Sequence, residues 1–318
     1  MSKNKIILNI VRIMFIIAPI LWLFFAVDYK SVIAELGSVH LVWIFVLFAI
    51  IFAHFILQSL RWWILIRPFC DKIKAGEFII LNWKARYYSA MLPTSAGLDV
   101  SRAVLLKDRL SMSQIVAISL FFRITGIIML VLLSVFGFFQ FSSHDGVSTA
   151  AIIVALMFLA LCAIMALSLH QKASDKVLSM LPQKLPQKLR NFIIKGISSI
   201  LLYQKFPKLI IANMFFSLLT HIVFLFFPIA AIFALSGELK ILECLSFIPL
   251  IEIISASIPI SPNGAGVREG LSILFFDFIG LSPEQAFSYI ALSMILYLWM
   301  FSGFFVILWE KMRKARNA

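Results

Sequence analysis

Six stretches of this sequence, near residues 7–27, 39–60, 112–139, 149–169, 209–235 and 286–309, are almost wholly apolar. Each is close to the ~20 residues a helix needs to cross the hydrocarbon core of a bilayer. A backbone in hydrocarbon must satisfy every N–H and C=O internally, and helices do this within a single span. The expected fold class is therefore an all-α polytopic membrane protein. Composition agrees: of 318 residues 62% are hydrophobic and 14% charged, a balance foreign to a water-soluble domain of this length.

Two further apolar stretches, about 78–106 and 243–276, are interrupted by Pro, Gly and Ser and cannot be single clean helices. The interruptions are alike, reading LPTSAGLDVSR at Leu92 to Arg102 and IPISPNGAGVR at Ile258 to Arg268. In each, an aliphatic residue precedes a proline (Pro93, Pro259), a serine follows two positions later (Ser95, Ser261) and an arginine nine positions later (Arg102, Arg268). Pro262 adds a further break to the second copy. Irregular backbone at membrane depth is tolerated only where protein covers it or it lines a wet cavity. Broken helices at corresponding places in two halves point to a transporter's binding site.

Loop charge sets the expected orientation, because cytoplasmic loops retain Lys and Arg. The basic segments are the N-terminus (Lys3, Lys5), 61–77 (Arg61, Arg67, Lys72, Lys74), 170–208 with eight bases from Lys172 to Lys208, and the tail (Lys311, Arg313, Lys314, Arg316). The opposite connections hold Lys30 and Lys240 against Asp28, Glu35, Asp145, Glu238, Glu243, Asp277 and Glu284. Both termini are thus expected in the cytoplasm of a prokaryotic cell, with the chain in its plasma membrane and 7–27 kept as a first span. Segment 78–106 has basic residues at both ends and is expected to enter from the cytoplasm and turn back; 243–276 has acidic residues at both ends and is expected to re-enter from outside. The order is span, span, re-entrant segment, span, twice over with opposite starting sides: an inverted repeat of 1–140 and 141–318. Residues 170–208, with Phe192, Ile193, Ile197, Ile200 and Leu201 at helical spacing beside Lys188, Arg190 and Lys195, read either as an interfacial amphipathic helix or as a solvated linker.

The excess of 28 Lys+Arg over 15 Asp+Glu sits beside apolar spans, where orientation and anionic lipid account for it, so no nucleic-acid partner is expected. Cys70, Cys162 and Cys244 are isolated and suggest neither a disulfide framework nor a metal site; no metal or cofactor is expected.

The residues LPTSAGLDVSRAVLLKD, LFFRITG at Leu120 to Gly126 and SIPISPNGAGVREG at Ser257 to Gly270 resemble the family of the lysylphosphatidylglycerol synthase transmembrane region, flippase-like membrane proteins of bacteria and archaea. The most specific part is P-x-S-P-x-G-x-G-x-R-E, from Pro259 to Glu269, and the resemblance covers nearly the whole chain. In two-part members the membrane region is implicated in moving an aminoacylated phospholipid between leaflets while a soluble domain makes it. The resemblance therefore implies a stand-alone translocase-like protein without the synthase activity. Ala96, Gly97 and Leu98 depart from the glycine-rich turn expected in the first motif.

A charge near the bilayer centre costs at least ~2.5–3.5 kcal/mol, so an intramembrane ionisable group is a functional candidate by default. Arg102, Arg268 and Arg123, in the third span, suit bidentate contact with phosphate or carboxylate and stay charged at depth. Ser95, Ser261, Asn263 and the N–H groups of helix starts after the breaks could complete an anion site. Gly97, Gly264 and Gly266 would admit close backbone approach. Asp99, Glu269 and Glu252 are candidates for coupling or gating, by exchange of ion pairs or uptake of a proton. Asp99 with Arg102 and Arg268 with Glu269 could instead simply neutralise each other; the sharper expectation pairs Asp99 with Arg268, or Glu269 with Arg102, across the halves. His54 and His221 read as interhelical hydrogen-bond partners outside the site.

The expected function is movement of an anionic phospholipid or polyprenyl-phosphate-type lipid between leaflets by alternating access. The alternatives are a membrane transferase or phosphatase-like enzyme on a lipid phosphate, and a non-transporting membrane partner. Against an enzyme, no DxD, HExxH or Ser/His nucleophile arrangement occurs.

Overall fold

The computed structural model describes residues 29–92, 97–141, 147–179, 186–257 and 267–316. Among them the chain is helical, with thirteen α-helices and no strand. In order these are α1 (Tyr29–Ser38), α2 (Leu41–Ile66), α3 (Ala75–Ala90), α4 (Gly97–Leu106), α5 (Met112–Phe141), α6 (Val147–Ser168) and α7 (Gln171–Ser179). There follow α8 (Gln187–Leu201), α9 (Pro207–Ser236), α10 (Ile241–Ser257), α11 (Val267–Phe278), α12 (Pro283–Phe301) and α13 (Gly303–Arg316).

Among the described residues, five stretches are helical, long and apolar enough to cross a membrane: Leu41–Ile66, Met112–Gln140, Ala151–Ser168, Pro207–Ser236 and Pro283–Arg313. The expected span at 7–27 lies outside the described residues, as do Pro93, Ser95, Pro259, Ser261, Pro262, Asn263, Gly264 and Gly266. On either side of those two interruptions the broken segments are helix pairs, α3 with α4 and α10 with α11, and the two arms of each pair touch.

Helix ends follow their local chemistry. At the start of α12 the Ser282 hydroxyl accepts from the Gln285 N–H while the Gln285 side chain accepts from the Ser282 N–H, with Pro283 in the first turn. The other end of a helix is illustrated by α9, which stops at Gly237, whose φ of 72° is the left-handed conformation glycine adopts freely and whose N–H reaches the Phe233 carbonyl. Two expected boundaries shift. Arg61 belongs to α2 and is buried, because the helix continues to Ile66 before the basic loop begins. The last apolar run is two helices meeting at Ser302, where α13 presses so closely on α3 that a Cβ on Gly303 would lie 2.6 Å from the Trp83 carbonyl oxygen.

The most extensive contacts are between α2 and α9 and between α5 and α10. The helices that close each half pack on the other half's broken segment: α5 lies on α10, and α12 and α13 lie on α3. The α5–α10 crossing is close because Gly137 has no side chain; an added Cβ would stand 2.5 Å from the Ser246 nitrogen, and the Ser134 hydroxyl donates to the Ser246 carbonyl at 2.6 Å.

Two main apolar clusters form, one near each end. One gathers Trp62, Leu65, Phe78, Leu106, Phe121 and Tyr203; the other gathers Leu225, Ile232, Ile248, Phe275, Phe276 and Leu281. At the first end the basic connections meet. Trp63 donates to the Ile73 carbonyl at 2.7 Å, Tyr203 to the Leu65 carbonyl at 3.0 Å, and Arg109 pairs with Glu77 at 2.7 Å. Within the segment 170–208 lie α7 and α8; α8 packs on α5 with Ile197 and Ile200 buried and Ile200 in the apolar cluster, so α8 is anchored rather than freely solvated. At the other end the Glu35 carboxylate receives the Ser288 hydroxyl at 3.2 Å. Burial, reinforced by Glu284 and opposed by that hydroxyl, lifts the Glu35 carboxyl above the usual range. Outward faces carry the apolar surface that lipid requires: in α6, Ile153 and Leu159 are each 61% exposed.

Candidate functional site

Between the two clusters is a cavity of about 400 Å³, within the size range of small-molecule sites. Eight helices of both halves line it: α2 with His54 and Gln58, α3 with Arg86, α4 with Asp99 and Arg102, α5 with Arg123, α9 with His221, α10 with Glu252 and Ser255, α11 with Arg268, and α12 with Trp299. The arginines that end the two repeated motifs therefore open onto one space.

Arg102 is held most firmly. It is 2% exposed, donates from Nε to the Asn82 amide oxygen at 2.9 Å, faces Asp99 at 3.4 Å, and stacks over the Trp62 ring at 4.7 Å. Asn82 is itself oriented by donating to the Ser59 hydroxyl at 2.7 Å, so the guanidinium is set by a chain of two hydrogen bonds. Arg123, half exposed at the rim, takes the other Asp99 oxygen at 2.5 Å. In the second half Arg268 meets Glu252, Nε to Oε1 at 2.8 Å and Nη2 to Oε2 at 3.2 Å. Glu269 is buried and lines a smaller adjoining pocket with Arg268, Glu252 and Tyr289.

These ion pairs run within each half. The expectation of cross-half pairing fails for Asp99, whose two oxygens are taken by Arg102 and Arg123; three residues on one helix and the adjacent α5 simply bring those cations nearer. Asp99 and Glu269 both lie in the first turn of the helix that follows a break, where a carboxylate meets the partial positive charge of the helix start. The helix-start anion site expected from sequence thus already has a resident carboxylate in each half. At Gly97 an added Cβ would lie 3.2 Å from both Leu92 Cβ and the Ser89 carbonyl oxygen, so the close approach there is of the chain to itself.

Four residues at or behind the cavity were not legible as belonging to the site. Arg86 projects from α3 into the cavity and donates from Nη2 to Gln58; asking which cations fall inside the broken apolar segment would have found it. His54 and His221 both line the cavity, although His54 also lies 3.3 Å from the Thr220 carbonyl as an interhelical contact would. Arg61, 1% exposed, sits behind the cavity wall and donates to Asn213 (3.1 Å), the Phe122 carbonyl (2.6 Å) and Thr125 (2.7 Å), with its guanidinium 3.9 Å over the Phe122 ring. Grouping it with the loop charges hid its position. Aromatic rings form the wall near Trp299, which stacks on Trp83 at 5.1 Å and meets Phe55 and Phe52 edge-on.

The lining is rich in donors. Arg86 Nε, Arg102 Nη2, Ser255 Oγ and His221 Nε2 are buried atoms without a hydrogen-bond partner among the described residues. Buried polar groups are costly when unpaired, so such an arrangement suits a ligand that brings acceptors. No group of three His, Cys, Asp or Glu able to hold a metal ion occurs among the described residues.

The family model for the lysylphosphatidylglycerol synthase TM region matches residues 9–304. No match is found among curated proteins or among solved structures. The chain belongs to the lysylphosphatidylglycerol synthase TM region family and is a multi-pass membrane protein.

Proposed function

From membership of a family of membrane proteins associated with lipid modification or translocation, we propose that this chain moves an anionic lipid or a lipid-linked phosphate between leaflets by alternating access. The observation that carries the proposal is the meeting of Arg102 and Arg268, one from each repeated motif, at a single donor-rich cavity between the halves. Arginine recognises phosphate bidentately and cannot be neutralised by deprotonation. Arg102, Arg268, Arg123 and Arg86 hold the headgroup in this reading, and Ser95, Ser261 and Asn263 are added to them by sequence. Asp99, Glu252 and Glu269 offset part of the arginine charge while the site is empty, and a carboxylate displaced by the headgroup takes up the coupling proton.

The proposed architecture has 7–27 as a sixth span, α3–α4 and α10–α11 as re-entrant pairs from opposite faces, and 1–140 and 141–318 as inverted repeats. Two features support it. The closing helices of each half pack on the other half's broken segment, and the basic connections collect at one end with Glu35 and Glu284 near the other. The same charge asymmetry supports cytoplasmic termini in a prokaryotic plasma membrane.

The test is reconstitution into liposomes with fluorescent phosphatidic acid or, separately, fluorescent phosphatidylglycerol, following the exchange of each between leaflets. Arg268→Ala should abolish exchange while the protein stays folded in the bilayer; full exchange by that variant would remove the assigned role.

A further inference from the structure

On the translocase reading of this cavity, we infer that its headgroup is a dianion, a phosphomonoester or diphosphate, and that the site discriminates against phosphodiesters. The warrant is the charge inventory. Arg86, Arg102, Arg123 and Arg268 line the cavity against Asp99 and Glu252. Counting the nearest charged neighbours, Arg61 behind the wall and Glu269 in the adjoining pocket, gives five guanidinium groups against three carboxylates among the described residues. Two positive charges are left over either way. A surplus at this depth is expensive, and it is removed most completely by a ligand that carries two negative charges.

Hydrogen bonding points the same way. Among the described residues the lining carboxylates and the Gln58 amide are already engaged: Asp99 holds Arg102 and Arg123, Glu252 holds Arg268, and Gln58 holds Arg86. What remains on the lining are the orphaned donors, Arg86 Nε, Arg102 Nη2 and Ser255 Oγ, with His221 Nε2 beside them. A phosphomonoester offers three strong acceptor oxygens and a second ionisation near pH 6, whereas a diester lacks the third oxygen and stops at one charge. Guanidinium groups donate only, so every added acceptor on the ligand meets a donor.

The decisive experiment titrates the purified full chain in neutral detergent at pH 8 with dioctanoyl phosphatidic acid, dioctanoyl phosphatidylglycerol and inorganic phosphate, measuring heat of binding. Phosphatidic acid should bind at least about tenfold more tightly than phosphatidylglycerol, the ratio that one charge-assisted hydrogen bond supplies. In Arg86→Gln, which removes one surplus charge from the headgroup site, both lipids should bind more weakly, phosphatidic acid by the larger factor, so that the ratio falls toward one. Should Arg86→Gln unfold, Arg123→Gln at the half-exposed rim gives the same readout. Equal or tighter binding of phosphatidylglycerol overturns the dianion inference and leaves the translocase reading to its own transport assay. Inorganic phosphate competing as strongly as phosphatidic acid upholds the dianion and overturns the lipid reading. Binding of none of the three overturns the inference.

Discussion

Arg61 and Arg86 both donate to a side-chain amide oxygen, yet their loss should have different consequences. Arg61 is enclosed, and Arg61→Met would strip the donor from Asn213, Thr125 and the Phe122 carbonyl. At about 1–3 kcal/mol for a buried group left unsatisfied, a marked fall in the thermal unfolding midpoint in detergent is expected. Arg86 opens onto the cavity, so Arg86→Gln should keep the midpoint within a few degrees and lose lipid exchange. A matching midpoint loss in both variants would show that Arg86 is structural. Asn82→Ala should lower the affinity for lipid phosphate about tenfold while leaving Arg102 in place, because it frees Nε of Arg102 and removes its orientation; isothermal titration checks this. Arg102 and Arg268 were legible in the sequence because a cation beside a proline break in an apolar run is costly to place unless it serves a site. Arg61 was not, since a charge at the end of an apolar run looks the same whether the helix ends before it or one turn and more beyond it.

At the scale of helices the decisive residues are small. An alanine at Gly137 would push its Cβ into the Ser246 backbone, and one at Gly303 into the Trp83 carbonyl; both obstacles are main chain and cannot swing away. Gly137→Ala and Gly303→Ala should each cost about 1–3 kcal/mol, the usual penalty of overpacking, read as lower monodisperse yield and an earlier unfolding midpoint. Gly37→Ala, with nothing within 4 Å of the added carbon, is the control and should be neutral. Neither contact could be read from the sequence. Apolar runs and their breaks announce helices and roughly where they stop, but lipid makes every face apolar, so the periodicity that marks a buried stripe in a soluble helix is absent here. The split of the last run at Ser302 escaped for the same reason: no proline or charge marks it.

For the molecule as a whole, loop charge carried the topology, and accessibility can test it. With Cys70, Cys162 and Cys244 replaced, single cysteines at Lys72 and Gln204 should resist a membrane-impermeant maleimide added outside intact cells, and one at Glu238 should react. Labelling of all three from outside would remove the proposed orientation. On the proposed alternating-access reading, the packing of α12 and α13 on α3 makes a change of access slide α3 along them, and that contact contains two indoles. Trp83 and Trp299 lie with ring centroids 5.1 Å apart and planes 30° from parallel, and Trp83 donates to the Ser302 hydroxyl at 2.8 Å. Transition dipoles that close and that oblique couple, giving a paired positive and negative band in circular dichroism whose size falls steeply with separation. The protein thus carries its own spectroscopic ruler at the sliding contact: loss of that couplet on adding lipid phosphate would time the opening of the interface without any attached label.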